Sequence, residues 1–297
     1  MRRILKNNNG NNHLKIGELP DIRMVAIGDL LFHEDPDEER LLNLVNRLGT
    51  EGFLKNPPIV AEDPADHRFI VLDGANRVTA LIKLKFDHIP VQVVHIEDDR
   101  LAIRCWHHAV EKLGKDYFLR KIGEMPAVRI ADGGRKPDGE ENGEMTEEPA
   151  SDGYLCTLTF ENGEIFSAFR EGGLIEQVEY LKKITDLYLH TPLSDRVSYT
   201  NLAHLKNNYP EFQTLFTFRT FEKEELLKVV YSGKKLPAGI TRVLLPKRAL
   251  GLNIQLEFLK SALTLEEKRH WLEETIHKMV LSKSIRFYQE PTFVFDE

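Results

Sequence analysis

The 297-residue chain is 41% hydrophobic and 29% charged, which is typical of a globular protein with a sizeable core. Its formal net charge is −7, and no apolar run approaches the roughly 18 residues of a membrane span. The sequence therefore predicts no membrane segment, and it lacks the apolar core of a signal peptide. Two cysteines, Cys105 and Cys156, are too few for a disulfide framework, so we expect a cytoplasmic protein.

The negative charge is concentrated in one stretch. Residues 131–153 contain eight acids and two bases, which leaves the rest of the chain close to neutral. A near-neutral body lacks the strongly basic surface of a nucleic-acid-binding domain, so nucleic acid is not an expected partner.

The predicted elements of the first part alternate between strand and helix. Residues 1–19 are rich in Asn and predict a flexible tail. Apolar runs at 24–27, 59–60, 69–72 and 90–95 predict strands, and helical spacing follows residue 37 and residue 74. The spacing of Leu101, Cys105 and Val110 predicts a further helix over 99–113 that ends at Gly114.

The second part has clear local signals. Two apolar runs flank Glu161-Asn162-Gly163 and predict a β-hairpin over 155–169. Amphipathic helices are expected at 174–184 and after Thr264, where Thr264 and Glu267 have capping-box spacing. We predict an α/β (α+β) protein with a tail at 1–19, a domain of alternating strands and helices at 20–130, an acidic linker or loop at 131–153 and a smaller α+β domain at 154–297.

The most informative motif is the run Asp73-Gly74-Ala75-Asn76-Arg77, where an apolar strand leads directly into a helix. Backbone N–H groups at a helix start have no intrahelical partner and can bind phosphate. Gly74 lets the backbone approach an anion, and Arg77 offers a bidentate fork. Asp-Gly is also ordinary turn sequence, so spacing alone leaves a purely structural turn open.

Asp73 would repel a phosphate, so we expect it to act on a metal ion or a hydroxyl. Glu34 precedes it by 39 positions, across a predicted strand and helix. If both reach one cleft, one carboxylate could accept the proton of a substrate hydroxyl while the other binds Mg²⁺ or orients that hydroxyl. The structural alternative is that Glu34 and the acids after it merely open a helix.

These residues resemble the free L-serine kinases of the ParB/sulfiredoxin-like fold, a family with siderophore-associated and archaeal members. The matching motifs are His33-Glu34, Asp73-Gly74-Ala75-Asn76-Arg77, Trp106, the segment 237–242 and Arg248-Ala249-Leu250. The resemblance implies that residues 20–130 form a ParB/sulfiredoxin-like nucleotide-binding domain. It also implies phosphoryl transfer from a purine nucleotide to L-serine, giving O-phospho-L-serine. ATP or ADP could be the donor, with Mg²⁺ as cofactor, and a phosphoserine-using enzyme could act next.

The resemblance also implies residue roles. Glu34 and Asp73 would be catalytic, with the base assigned to Glu34 although the roles could be exchanged. Gly74, Ala75, Asn76, Arg77 and His33 would bind the nucleotide phosphates. The serine site would be formed by Trp106, Thr241, Arg242 and Arg248. Relatives often have His after the Thr-Arg pair, where this chain has Val243, so no role of that His is carried over.

Other readings of the motifs are weaker. A ParB-like DNA-binding regulator usually reads Gly-Glu-Arg-Arg where this chain has Gly74-Ala75-Asn76-Arg77, and no helix-turn-helix is evident after residue 98. A sulfiredoxin-type reductase needs a Cys in the phosphate loop, and positions 75 and 76 offer none. We also reject zinc at Cys105, His107 and His108, since adjacent histidines on a helix diverge.

Overall fold

A computed structural model describes residues 19–64, 66–135, 153–189 and 194–288. Its strands are β1 (Asp21–Ala26), β2 (Leu30–Phe32), β3 (Phe53–Leu54), β4 (Ile59–Glu62), β5 (Phe69–Asp73), β6 (His88–Val94), β7 (Ala102–Cys105), β8 (His107–Glu111), β9 (Arg129–Arg135), β10 (Tyr154–Phe160), β11 (Glu164–Phe169), β12 (Ser194–Val197), β13 (Phe212–Phe218), β14 (Thr241–Leu244) and β15 (Ile254–Gln255). Its helices are α1 (Glu38–Glu51), α2 (Ala75–Lys83), α3 (Lys115–Gly123), α4 (Leu174–Thr185), α5 (Leu202–Asn208), α6 (Lys223–Tyr231), α7 (Leu256–Lys260) and α8 (Leu265–Leu281), with a short 3-10 helix at Ile27–Asp29.

The first sheet of the described chain has the strand order β1-β6-β4-β5-β2. Pairs β4–β6 and β2–β5 are parallel, whereas β1–β6 and β4–β5 are antiparallel. Its apolar side chains pack with those of α1, α2 and α8, including Val60, Val78 and Leu272. The parallel β2–β5 pair places the ends of both strands side by side, so Asp73 and the residues after Phe32 share one edge.

A second sheet has the order β12-β8-β13-β10-β11-β9 and a core of its own. Phe118, Leu158, Leu181 and Phe216 are buried between this sheet and the helices α3 and α4. The sheet combines β8 from before residue 130 with strands from after residue 153. Because one sheet contains strands from both sides of these limits, the domain boundaries at 130 and 154 remain a prediction.

Short strand pairs join the end of the chain to its beginning. β14 pairs with β7, and β15 pairs with β3. An isolated parallel bridge also joins Glu34 to Leu236. These pairings bring the segment 236–244 against the edge of the first sheet, next to the end of β5.

Several predicted elements are confirmed. β10 and β11 form the hairpin, and Gly163 has φ of 85° in its turn. The helix from Leu174 is α4, and the capping box of Thr264 with Glu267 opens α8. The mixed α+β class is confirmed as well.

The helix expected over 99–113 is wrong, because this stretch forms β7 and β8. Leu101 and Cys105 have helical spacing, but the backbone groups pair with β14, β12 and β13 instead. Long-range pairing of this kind overrides local pattern. The start of the linker at residue 131 is also wrong, since 129–135 pair with β11. Residues 136–152, and residues 1–18 of the tail predicted at 1–19, lie outside the described residues.

Among the described helices, none combines the length and apolar character needed to cross a bilayer.

Candidate active site

A cavity of about 540 Å³ opens where α1 and α2 begin, beside the segment 236–241. This volume lies in the range of small-molecule sites. The lining is mostly polar and charged. It includes His33, Glu34, Asp35, Asp37, Arg40, Arg47, Asp73, Gly74, Ala75, Asn76, Arg77, Trp106, Arg196 and Thr241. Most of the predicted site residues therefore surround one space.

The turn from β5 to α2 forms one wall. Gly74 is the N-cap of α2 and has φ of 93°, a conformation that side chains disfavour. A Cβ atom there would lie 3.1 Å from Cα of Pro58, so the turn also packs tightly. No side chain caps the helix, which leaves the amide groups of its first turn available to a ligand. This geometry fits the predicted phosphate cradle.

Asp73 lies at the end of β5 between two arginines. Its carboxylate forms an ion pair with Arg248, and Oδ1 lies 3.6 Å from an Nη atom of Arg77. Burial alone would raise the pKa of Asp73, but the positive charges of Arg77 and Arg248 outweigh it and hold the pKa below its ordinary value. Asp73 is therefore ionised at neutral pH and is a weak base.

Arg77 is turned mainly toward the protein. Its Nη1 donates to the carbonyl oxygens of Asn56, at 3.1 Å, and Pro57, at 3.2 Å. Asn76 Oδ1 accepts a hydrogen bond of 2.8 Å from the backbone N–H of Asp37, which ties α2 to the start of α1. Both side chains shape the cradle, and Arg77 has part of its donor set already occupied.

Glu34 is buried on the opposite wall and is held from a distant part of the chain. Its Oε1 accepts a hydrogen bond of 2.6 Å from the N–H of Gly239. Its Oε2 accepts from the N–H of Thr241, at 2.9 Å, and from the Thr241 hydroxyl. These contacts fix the carboxylate at the cavity wall, so the structure does not support Glu34 as a mere helix-opening residue; Asp37 is the N-cap of α1.

His33 is buried beneath this contact. Its Nδ1 donates to the carbonyl oxygen of Val71 at 2.6 Å, and its Nε2 lies 2.8 Å from Oγ1 of Thr241. The hydroxyl of Thr241 is thus engaged by His33 and Glu34. Thr241 reaches the cavity but is used to position Glu34.

Trp106 lines the cavity, and its backbone N–H donates to the carbonyl oxygen of Ile240 at 2.8 Å. The guanidinium of Arg242 lies over its ring, with Cζ 4.7 Å from the ring centre. This cation–π contact holds Trp106 in place. Of the predicted serine-binding residues, Trp106 and Thr241 line the cavity, while Arg242 and Arg248 contact the lining residues Trp106 and Asp73.

Sequence reasoning missed Asp37, Arg40 and Arg196. Arg196 is on β12, which pairs with β8, and its Nη2 is 3.3 Å from Oδ2 of Asp37. Arg40 contacts Asp37 at 3.5 Å and Asp195 at 3.1 Å. No local motif marks Arg196, because only the pairing of β12 places it at the cavity. The helical spacing of Arg40 on α1 was the one available signal.

Comparison with known proteins extends over most of the chain. The chain is 22% identical over 284 residues to the ATP-dependent L-serine kinase SbnI of Staphylococcus aureus, and the match covers 93% of this chain and 97% of the relative. It is 23% identical over 239 residues to the ATP-dependent L-serine kinase of Staphylothermus marinus, covering 80% and 90%. No family model matches the chain.

Solved structures show the same fold. SbnI from Staphylococcus aureus with a C-terminal truncation superposes with a TM-score of 0.62 at 20% identity, covering 87% of this chain and 97% of that one. A free serine kinase in complex with AMP superposes with a TM-score of 0.61 at 19% identity, covering 81% and 94%. The resemblance to the free L-serine kinases that the motifs predict is therefore confirmed, in sequence and in fold.

Proposed function

We propose that this protein is an L-serine kinase that transfers the γ-phosphoryl group of ATP to the hydroxyl of free L-serine, giving O-phospho-L-serine and ADP. The observation that carries the proposal is the cavity in which a fixed Glu34 carboxylate faces the uncapped start of α2. The similarity to ATP-dependent L-serine kinases over 93% and 80% of the chain supports the same activity.

The phosphates of ATP would bind at the amide groups of Gly74, Ala75 and Asn76. A helix start offers both unpaired N–H groups and a favourable dipole for such an anion. The tight packing of Gly74 against Pro58 and the bonds of Arg77 to the loop at 56–57 keep this cradle rigid. His33 supports the opposite wall through Thr241 rather than reaching the phosphates.

Glu34 is the proposed general base. The serine oxygen forms a bond to the γ-phosphorus, and the bond from that phosphorus to the bridging oxygen breaks. ADP leaves with the electron pair, and the hydroxyl proton goes to Glu34. Asp73 is less suited to accept this proton because its arginine partners hold its pKa low. We assign Asp73 to orienting the hydroxyl or binding a nucleotide-borne ion.

A magnesium ion bound to the nucleotide fits this site. Mg²⁺ keeps several waters and is usually held by one or two carboxylates together with substrate phosphates. The described residues contain no cluster of three donor side chains that would bind a metal alone. Asp73, ionised and at the start of the phosphate cradle, would contact it, and the ion would offset phosphate charge.

Trp106 is the proposed wall of the serine site. Its ring lines the cavity and is held by Arg242, which thus supports the site. Thr241 acts there through Glu34, and Arg248 acts through Asp73. We place the enzyme in the cytoplasm, where an enzyme that uses O-phospho-L-serine would consume the product.

The test is direct. Purified protein is incubated with Mg²⁺, L-serine and either ATP or ADP, and phosphoserine is measured by mass spectrometry. We expect phosphoserine with ATP and none when D-serine or glycine replaces L-serine. Absence of phosphoserine with both nucleotides, from a folded protein, would refute the proposed function.

A further inference from the structure

Arg196 is a cation of the cavity to which the motifs assign no role. It belongs to β12, and its side chain is 21% exposed. Its guanidinium lies in the field of Glu34, Asp37 and Asp73. These are the proposed base, the N-cap of α1 and the acid at the phosphate cradle. Arg196 is therefore within electrostatic range of both proposed catalytic carboxylates.

The backbone of the opposite segment makes room for this guanidinium. Gly239 has φ of 74°, and a Cβ atom there would lie 2.0 Å from Nε and 2.3 Å from Cζ of Arg196. The same residue donates its N–H to Glu34 at 2.6 Å. The guanidinium thus packs on the backbone that holds the proposed base.

The cavity holds charges of both signs. Its described lining carries the carboxylates of Glu34, Asp35, Asp37, Glu51 and Asp73 and the cations of Arg40, Arg47, Lys55, Arg77 and Arg196. Arg77 has one nitrogen bonded to main-chain carbonyls, and Arg40 pairs with Asp37 and Asp195. Arg196 packs on the backbone that holds Glu34, so it is well placed to act on the group that Glu34 acts on.

Arg196 has donors to spare for such a ligand. A guanidinium carries five N–H donors. Within the described chain, the guanidinium of Arg196 makes its side-chain hydrogen bond to Asp37, through a single nitrogen at 3.3 Å. Burial lowers the pKa of Arg196 despite its acidic neighbours, but an arginine remains charged at neutral pH. A desolvated cation with free donors is well suited to bind a phosphoryl group.

We propose that Arg196 binds the transferring γ-phosphoryl group and stabilises the charge that develops on its oxygens. This inference rests on the proposed kinase function and adds a ligand for the group that moves. A planar guanidinium can contact two phosphoryl oxygens at once. Fixed positive charge at a transferring phosphoryl group lowers the barrier because it is already in place when charge shifts.

Kinetic measurements on Arg196→Ala, Arg196→Lys and the control Arg100→Ala test this role. Arg100 is a surface arginine that pairs with Asp98. We expect Arg196→Ala to lower kcat by about 10²- to 10³-fold, with the KM for serine changed only a few fold. Arg196→Lys retains the charge but not the fork, and we expect an intermediate kcat. Arg100→Ala should match the unmodified protein.

Added guanidinium ion separates a chemical role from a structural one. Guanidinium should restore part of the kcat of Arg196→Ala and should leave that of Arg196→Lys unchanged. Circular dichroism and melting temperature show whether each variant is folded. A folded Arg196→Ala with a kcat near that of the unmodified protein, or with a low kcat that guanidinium does not raise, would overturn the proposal.

Nucleotide binding tests the same contact without any acceptor. By calorimetry, Arg196→Ala should bind AMP as the unmodified protein does. It should bind the analogue of ATP with an imido bridge between the β and γ phosphates at least about tenfold more weakly. Equal affinity of both proteins for the analogue would refute the contact. If the unmodified protein makes no phosphoserine but this difference persists, the serine kinase function fails while Arg196 remains a γ-phosphate ligand.

Discussion

The two walls of the cavity are built in different ways. One wall is the turn Asp73–Arg77, whose residues are contiguous in sequence. The other is Glu34 with Gly239 and Thr241, which are 205 and 207 positions away from it. The local wall is the proposed phosphate cradle, whereas the long-range wall holds the proposed base. On this proposal, binding and chemistry depend on separate parts of the chain, and mutations in each should have different effects.

Glu34→Gln should have the largest effect on chemistry. The amide keeps an oxygen for hydrogen bonds but cannot accept the serine proton, so we expect kcat to fall by about 10²- to 10⁴-fold. Nucleotide affinity should change little, because the phosphate cradle is on the other wall. Phosphoserine formation and AMP binding are measured on the same preparation. Glu97→Gln, an exposed acid, is the matched control, and near-normal turnover of Glu34→Gln would contradict the assignment.

Alanine at the two glycines with positive φ should affect the two walls differently. Gly239→Ala places a Cβ 2.0 Å from Arg196, and Gly74→Ala places one about 3 Å from Arg77 and Pro58. Both positions have positive φ, so each change should destabilise the fold by about 1–3 kcal/mol, with Gly239→Ala the larger. We expect Gly239→Ala to lower kcat and Gly74→Ala to weaken nucleotide binding.

Gly49→Ala is the control for these two variants. Gly49 lies within α1, and a Cβ atom there meets nothing within 4 Å. Alanine should stabilise this helix by about 0.5–1 kcal/mol. Urea unfolding and calorimetry give the stabilities and affinities. If Gly74→Ala and Gly239→Ala change kcat and affinity in the same proportion, the division between the walls is wrong.

Asp73→Asn should alter the dependence of stability on pH. Because the pKa of Asp73 is lower in the folded protein than in the unfolded chain, its ionised form favours folding. That contribution is present above the unfolded pKa and is lost as the pH falls through the folded pKa. The variant should be less stable than the unmodified protein at pH 7, and the difference should shrink on acidification. A difference in melting temperature that stays constant from pH 7 to pH 3 would contradict this.

Tyr188→Phe should have the smallest effect and tests the support of the long-range wall. The Tyr188 hydroxyl lies 2.8 Å from Nδ1 of His108, whose Nε2 lies 2.9 Å from the carbonyl oxygen of Gly239. The carbonyl can only accept, so Nε2 donates to it and Nδ1 accepts from Tyr188. Loss of this buried hydrogen bond should lower the free energy of unfolding by about 1–2 kcal/mol and should lower kcat only modestly.

Tyr180→Phe is the matched control for Tyr188→Phe. Tyr180 is partly buried and makes ring contacts with Arg170 and Lys183 in the described structure. The free energy of unfolding of Tyr180→Phe should differ from that of the unmodified protein by no more than about 0.5 kcal/mol. Thermal unfolding of both variants would show the difference. Equal melting temperatures would contradict a role of the Tyr188–His108 contact in holding Gly239 in place.

The sequence allowed prediction of the features that depend on neighbours in the chain. The turn at Gly74, the hairpin at Gly163 and the capping box at Thr264 each follow from side-chain and backbone preferences over a few residues. The family resemblance added Glu34 to this set, and the cavity brings it together with Asp73. The catalytic and binding roles of both stay predictions.

The remaining features depend on pairing between distant segments. Residues 102–111 form strands because β14, β12 and β13 pair with them, and no local pattern contains that information. The same holds for Arg196, which reaches the cavity only through β12. Arg77 shows the converse: its position was predictable, but the carbonyl groups of Asn56 and Pro57 that take up its donors were not.

The bridge between Glu34 and Leu236 has a consequence for synthesis of the protein on the ribosome. The turn Asp73–Arg77 has been synthesised by the time that about a quarter of the chain has been made, but the amide groups that orient Glu34 are added only in the last fifth. A nascent or truncated polypeptide that stops before residue 236 would hold a phosphate cradle without an oriented base. On the proposed mechanism, turnover would begin only after the carboxy-terminal segment has docked against Glu34.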